Sequence, residues 1–192
     1  MTAAETARWS IEHFEGFKYT DDPVDKGGAT KFGITLRTLA YYREKYLGAP
    51  KGETTKQYVE NLTLDEAVTV AVIVFMKEPG YDVLEPYPRT LLVVFDYGFH
   101  SGQPRATKAL QVGINEVLRR NVLEPDGVIG KRTREYLEII GKPLGDVLLA
   151  NSILTQRQEF MQIIMERDLT QRRFMLGWWK RTTKLQRKIA EA

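Results

Sequence analysis

A carboxylic acid at the end of a helix, followed by a loop rich in further carboxylates, is an arrangement suited to acid–base chemistry. Phe14-Glu15-Gly16 closes the first helical pattern of this chain, and the loop after it carries Asp21, Asp22 and Asp25. Glu15 falls in the last turn, where the negative end of the helix macrodipole disfavours a carboxylate. Phe14 and Phe17 flank it and are placed to exclude water. Both effects disfavour the charged form of a carboxylic acid, which suits a general acid working near neutral pH. Glycoside hydrolysis calls for two such groups, one to protonate the leaving oxygen and one to activate water or attack. Spacing alone leaves a plainer reading open: Glu before Gly is an ordinary helix end, and Asp-Asp-Pro an ordinary turn.

Other chemistries have less to work with. The chain contains no cysteine, which removes disulfides, thiolate metal sites and cysteine nucleophiles. Its two histidines, His13 and His100, are too few for most histidine clusters and sit in no HExxH frame. Neither a metal nor an organic cofactor is expected. No apolar stretch approaches the roughly 20 residues of a membrane span. Glu5, Arg8 and Glu12 interrupt the window a signal peptide would keep apolar, so no classical export signal is expected.

With 192 residues and 43% hydrophobic content, the chain suits one compact unit or a lobe with a smaller satellite. The net charge of +3 is unevenly placed: residues 157–192 hold nine Lys/Arg against four Asp/Glu, whereas residues 1–50 balance at seven each. A basic tail attracts anionic polymers, although a solvated helix face explains it equally well.

The elements that must position Glu15 are mainly helical. Ala3, Ala7, Ile11 and Phe14 share one face of the first helix, which ends at Gly16. From Tyr19 to Thr35 turn chemistry replaces the helical period, and Phe32-Gly33-Ile34-Thr35 is placed to close a short hairpin. Helices resume over Leu36 to Tyr46. Thr63-Leu64-Asp65-Glu66 reads as a capping box, with Leu64, Ala67, Val68, Ala71, Val72 and Phe75 as the apolar stripe behind it. Further helices are expected at Thr90 to Phe99, from Pro104, from Thr133, and from Leu144 to about Glu166, before a tail with Gly177-Trp178-Trp179. Asp96 stands in an otherwise apolar helix and is expected to cap or to pair internally, a structural role in preference to a catalytic one.

The run from Phe14 through Asp22-Pro23-Val24-Asp25-Lys26-Gly27-Gly28-Ala29-Thr30 to Gly33-Ile34-Thr35 resembles the signature of glycoside hydrolase family 108, the phage and prophage N-acetylmuramidases. Phe17 replaces a glycine of that signature, and one extra residue lies between Glu15 and Asp25. Leu62-Thr63-Leu64-Asp65-Glu66-Ala67 and Pro79-Gly80-Tyr81-Asp82 are similar to the family's middle helix and its exit, with Phe75-Met76 where members often carry Tyr-Trp. Phe95-Asp96-Tyr97-Gly98-Phe99-His100-Ser101-Gly102, Asp126-Gly127-Val128-Ile129-Gly130 and Gly177-Trp178-Trp179-Lys180-Arg181 resemble its predicted peptidoglycan-binding C-terminal region, with His100 where Asn is usual.

The resemblance implies a mainly α, lysozyme-like helical domain with a small β-hairpin near the N-terminus, packed on a second helical part. Residues 1–89 would form the catalytic region and residues 90–192 the peptidoglycan-binding-like region. Glu15 would protonate the oxygen joining N-acetylmuramic acid to N-acetylglucosamine. Asp25 would act as base on the attacking water, with Asp22 the competing base because of the extra residue, and the Thr30 hydroxyl would help hold that water. Gly27 and Gly28 are expected in a tight turn and, with Trp178, along the bound glycan; one of Trp178 and Trp179 is expected in the core. The implied partner is bacterial peptidoglycan, met by a monomer that binds no nucleic acid, with the basic tail in weak contact with anionic wall or membrane. A phage endolysin of this kind would accumulate in the host cytoplasm and reach the wall through holin lesions. The rival readings are a lytic transglycosylase or chitinase-like enzyme, and a non-catalytic peptidoglycan-binding or secretion-promoting protein.

Overall fold

The structure, a computed structural model, describes residues 1–21 and 28–191. It divides into two compact units, Met1–Asp82 and Val83–Ala192.

In the first unit, helix α1 (Ala3–Phe14) starts from a capping box: Glu5 donates its backbone N–H to the Thr2 hydroxyl and returns its carboxylate to the Thr2 N–H at 2.8 Å. Its buried face is Thr6, Ala7, Ser10 and Ile11. The helix ends as expected, with the Glu15 N–H donating to the Ile11 carbonyl at 3.1 Å and Gly16 at φ +71°. Strands β1 (Thr30–Lys31) and β2 (Ile34–Thr35) form an antiparallel hairpin pairing Thr30 with Thr35 and Lys31 with Ile34. Its two-residue turn places Phe32 at φ +54° and Gly33 at φ +74°, the paired positive angles that match strand twist in tight hairpins. Thr35 then caps helix α2 (Leu36–Tyr46) by accepting the Thr38 N–H. Helices α3 (Lys56–Glu60) and α4 (Leu64–Val72) come next.

Helix α4 begins at the expected capping box, with the Thr63 N–H donating to Glu66 at 2.8 Å. The expected stripe does not survive to its end. Residues Ile73–Lys77 form one wide π turn, in which the Glu78 N–H reaches back five residues to the Ile73 carbonyl at 3.1 Å. The extra residue rotates the face. Within the turn Met76 is buried and Phe75, expected inward, is half-buried; Val72, just before it and also expected inward, is half-buried too.

The second unit is built on three mutually packed helices, α5 (Pro88–Ser101), α6 (Gln103–Leu118) and α8 (Leu144–Arg167). Helix α7 (Lys131–Ile140) packs on α6, and α9 (Met175–Glu191) on α8. Leu91 to Phe95 are buried without interruption, so α5 is the central helix of this core. Asp146 serves as its N-terminal cap from another helix, accepting the Thr90 N–H at 2.8 Å and the Arg89 N–H at 3.2 Å. The Asp126-Gly127-Val128 turn is held by one side chain: the Gln111 amide donates to Asp126 and to the Val128 carbonyl, and its oxygen accepts from Gly127. Among the described residues, the mainly helical fold with one short hairpin is the one expected. Among the described residues, no helix is long and apolar enough to cross a membrane.

Candidate active site

Glu15 sits half-buried at the C-terminal end of α1, where the left-handed Gly16 turns the chain away. Beyond Gly16 the chain returns to the hairpin. Phe17 meets Phe32, in the hairpin turn, edge to face at 5.7 Å, and Thr20 and Thr30 exchange both backbone hydrogen bonds at 2.9 and 2.8 Å. These contacts fasten the segment after the acid to the strand that carries Thr30. The aromatic flanks of Glu15 are thereby engaged: Phe14 packs against Trp9 at 5.5 Å, and Phe17, although touching Phe32, remains 55% exposed.

The Thr30 hydroxyl donates its proton to the Gly28 carbonyl at 2.9 Å. A hydroxyl that donates keeps lone pairs with which to accept, the capacity needed to orient a water by one of that water's own protons. Gly28 lies at φ +63°, and a Cβ there would meet nothing within 4 Å. Glycine is thus required by backbone conformation, not by lack of room. Of the loop carboxylates, Asp21 is bound by Lys56 Nζ at 2.8 Å, and that hydrogen bond raises the lysine above its ordinary range. Asp22, Asp25 and Gly27 lie outside the described residues.

In the second unit, Asp96 is fully buried and does pair internally. Arg181 grips both its oxygens, at 2.9 Å from Nε and 2.8 Å from Nη2, and Arg157 Nη1 reaches it at 2.6 Å. Two of the nine basic residues counted toward the C-terminal charge are therefore turned inward. Burial pushes the Arg157 guanidinium below its usual range, and its charge also faces the Tyr97 ring at 5.1 Å. His100 ends the same helix as Asp96, and its imidazole is pushed down to about 4 by desolvation and then by the charges of Arg181 and Arg157. Trp178 is half-buried and stacks on Phe174 at 6.1 Å, while its neighbour Trp179 is 61% exposed.

Two clefts carry residues that periodicity did not single out. One, of about 320 Å³, lies in the first unit between Tyr42, Arg43, Tyr58, Asn61, Asp65 and Thr69. The other, of about 380 Å³, lies between α8 and α9 and includes Met161, Met165 and Met175 beside the two tryptophans. The spacing of four between Met175 and Trp179 was the one sequence signal for the second; its α8 wall becomes visible only once the helices pack.

A helical unit that holds an acid at the end of its first helix, with the segment after it tied to a short hairpin, is the lysozyme-like arrangement expected. Residues 9–102 match the glycosyl hydrolase 108 family, and residues 106–183 match the predicted peptidoglycan domain. Among solved structures, that of Brucella abortus SagA is similar in fold, with a TM-score of 0.71 and 24% identity over 98% of this chain and 94% of that one. No curated protein matches the chain.

Proposed function

We propose that this glycosyl hydrolase is a muramidase of the endolysin kind, cutting the β-1,4 bond between N-acetylmuramic acid and N-acetylglucosamine in peptidoglycan. One observation carries the reading: Glu15 stands where α1 gives way to the hairpin, in a segment pinned to Thr30, inside the glycosyl hydrolase 108 match. The Glu15 carboxyl donates its proton to the glycosidic oxygen as the bond to the anomeric carbon breaks. A water attacks that carbon and gives its proton to Asp25, with Asp22 as the competing base. Asp21 is the least suited of the three, because Lys56 holds it. The Thr30 hydroxyl, having donated to Gly28, accepts a hydrogen bond from the attacking water. The predicted peptidoglycan domain supports the same polymer as partner. Action as a monomer, from the host cytoplasm through membrane lesions, and weak contact of the remaining basic tail with anionic wall or membrane belong to the same reading.

The test is Glu15→Gln, compared with wild type on purified peptidoglycan by turbidity and by mass spectrometry of the products. The amide is nearly isosteric, so a matched Tm assigns any loss to chemistry. Lysis is expected to fall by about two orders of magnitude or more, within the contribution of a general acid. Asp25→Asn and Asp22→Asn, made in parallel, identify the base as the one whose loss is as deep. Wild type is expected to release hydrated reducing sugars. Anhydro products would make the enzyme a transglycosylase, and an inactive wild type would leave a binding protein.

A further inference from the structure

The cleft between α8 and α9 has a floor and rims of different chemistry. Met161, 8% exposed, and the half-buried Met165 and Trp178 form the floor. Thr155, Gln158, Glu159 and Gln162 run along one helical face of α8 as a polar rim. Opposite them stand Met175 and Trp179, one turn apart on α9, with the Trp179 indole 61% exposed. At about 380 Å³ the cleft lies near the small end of ligand sites, which run from about 300 to 1,000 Å³.

We propose that this cleft is a non-catalytic subsite for the amino-sugar backbone of a glycan strand, with the Trp179 ring as its platform. A pyranose has an apolar face of axial C–H groups and an equatorial edge of hydroxyl and acetamido groups. The first stacks on an exposed indole, and the second is met by side-chain amides and a carboxylate. The thioethers beside Trp179 suit the acetamido methyl, since methionine fills irregular apolar space and tolerates varied contacts. A lipid surface fits less well: the apolar floor is recessed, and the rim on α8 carries Glu159 with two amides and no cation. The inference deepens the peptidoglycan reading, because every lining residue falls within the 106–183 domain match.

The experiment uses the full chain carrying Glu15→Gln, so that the polymer is not consumed, with and without Trp179→Ala. Co-sedimentation with purified sacculi measures binding. Trp179 is mostly exposed, so its removal should leave Tm unchanged, and Trp179→Phe, which keeps an aromatic face, should retain most of the affinity. Trp179→Ala is expected to weaken binding at least tenfold. Soluble N-acetylglucosamine oligomers are expected to compete and to perturb tryptophan fluorescence in the parent more than in the variant. Equal binding by parent and Trp179→Ala overturns the proposal. So does competition by stem peptides in place of sugars, or Trp179-dependent uptake by phosphatidylglycerol vesicles but not by sacculi. The two readings fail separately: a wild type that cleaves nothing yet binds through Trp179 removes only the muramidase, whereas one that cleaves normally and binds without Trp179 removes only the subsite.

Discussion

Asp96 is a buried acid that pairs with two buried guanidiniums, those of Arg157 and Arg181. Arg157 already has two buried N–H groups, Nε and Nη2, with no hydrogen-bond partner among the described residues, so the site has no surplus of acceptors. Replacing Asp96 by Asn removes the only negative charge that these contacts give the two cations. Breaking a buried ion pair from one side costs about 3–5 kcal/mol, so Asp96→Asn should lower the denaturation midpoint sharply, as urea titration with circular dichroism would measure. A midpoint within experimental scatter of wild type would mean the arginines re-pair or reach water. Glu15 has the opposite character. It sits half-buried at a helix end, so its loss is expected to silence chemistry while sparing stability. The type and position of both acids were legible in the sequence. The arginine partners of Asp96 lie 61 and 85 residues away, and no local pattern points across that distance.

At the scale of elements, capping chemistry was the most readable feature. Thr63 both accepts from Glu66 and is bonded back by it, so the start of α4 follows from four consecutive residues. Thr63→Ala should cost about 1 kcal/mol, the ordinary worth of an N-cap, and lower Tm by a few degrees in a thermal melt with little change in lysis rate. A loss above about 3 kcal/mol would show that the cap also supports something beyond its own helix. The far end of α4 was not readable in the same way. Its stripe was expected to run on through Phe75, but within the π turn Met76 takes the buried position and Phe75 is left half-buried. A single wide turn changes the register without any marker in composition. The hairpin was readable as a hairpin; its positive-φ Phe32 was not, because residues other than glycine seldom adopt that angle and its ring contact with Phe17 comes from across the loop.

For the molecule as a whole, one response to pH follows from the charges and packing around His100 in the second unit. Desolvation, then the charges of Arg181 and Arg157, push the folded His100 imidazole down to about 4, against the opposing pull of Asp96 and below the ordinary 6.5 of a free histidine. On acidification the unfolded chain therefore takes up this proton first. The stability contributed by neutral His100 is complete above pH 6.5 and is lost as pH falls through 4. Solvent at the exposed edge of the ring moderates the size of the effect. His100→Gln should flatten the fall in Tm between pH 6.5 and 4 relative to wild type, read by melts across that range; parallel curves would assign the acid sensitivity to other groups.

Local sequence was enough to specify the helical class, the hairpin, the capping box that opens α4 and the end of α1 at Glu15-Gly16. These depend on spacing, capping and turn residues, which act over a few positions of chain. Three features waited on the packed molecule: Arg157 and Arg181 turn inward to Asp96, Asp21 is engaged by Lys56, and Trp179 stands exposed above a cleft walled by α8. Each of these joins residues far apart in sequence. Charge pairing and groove formation are set by which helices meet, and a local pattern carries no information about the partner until they have packed.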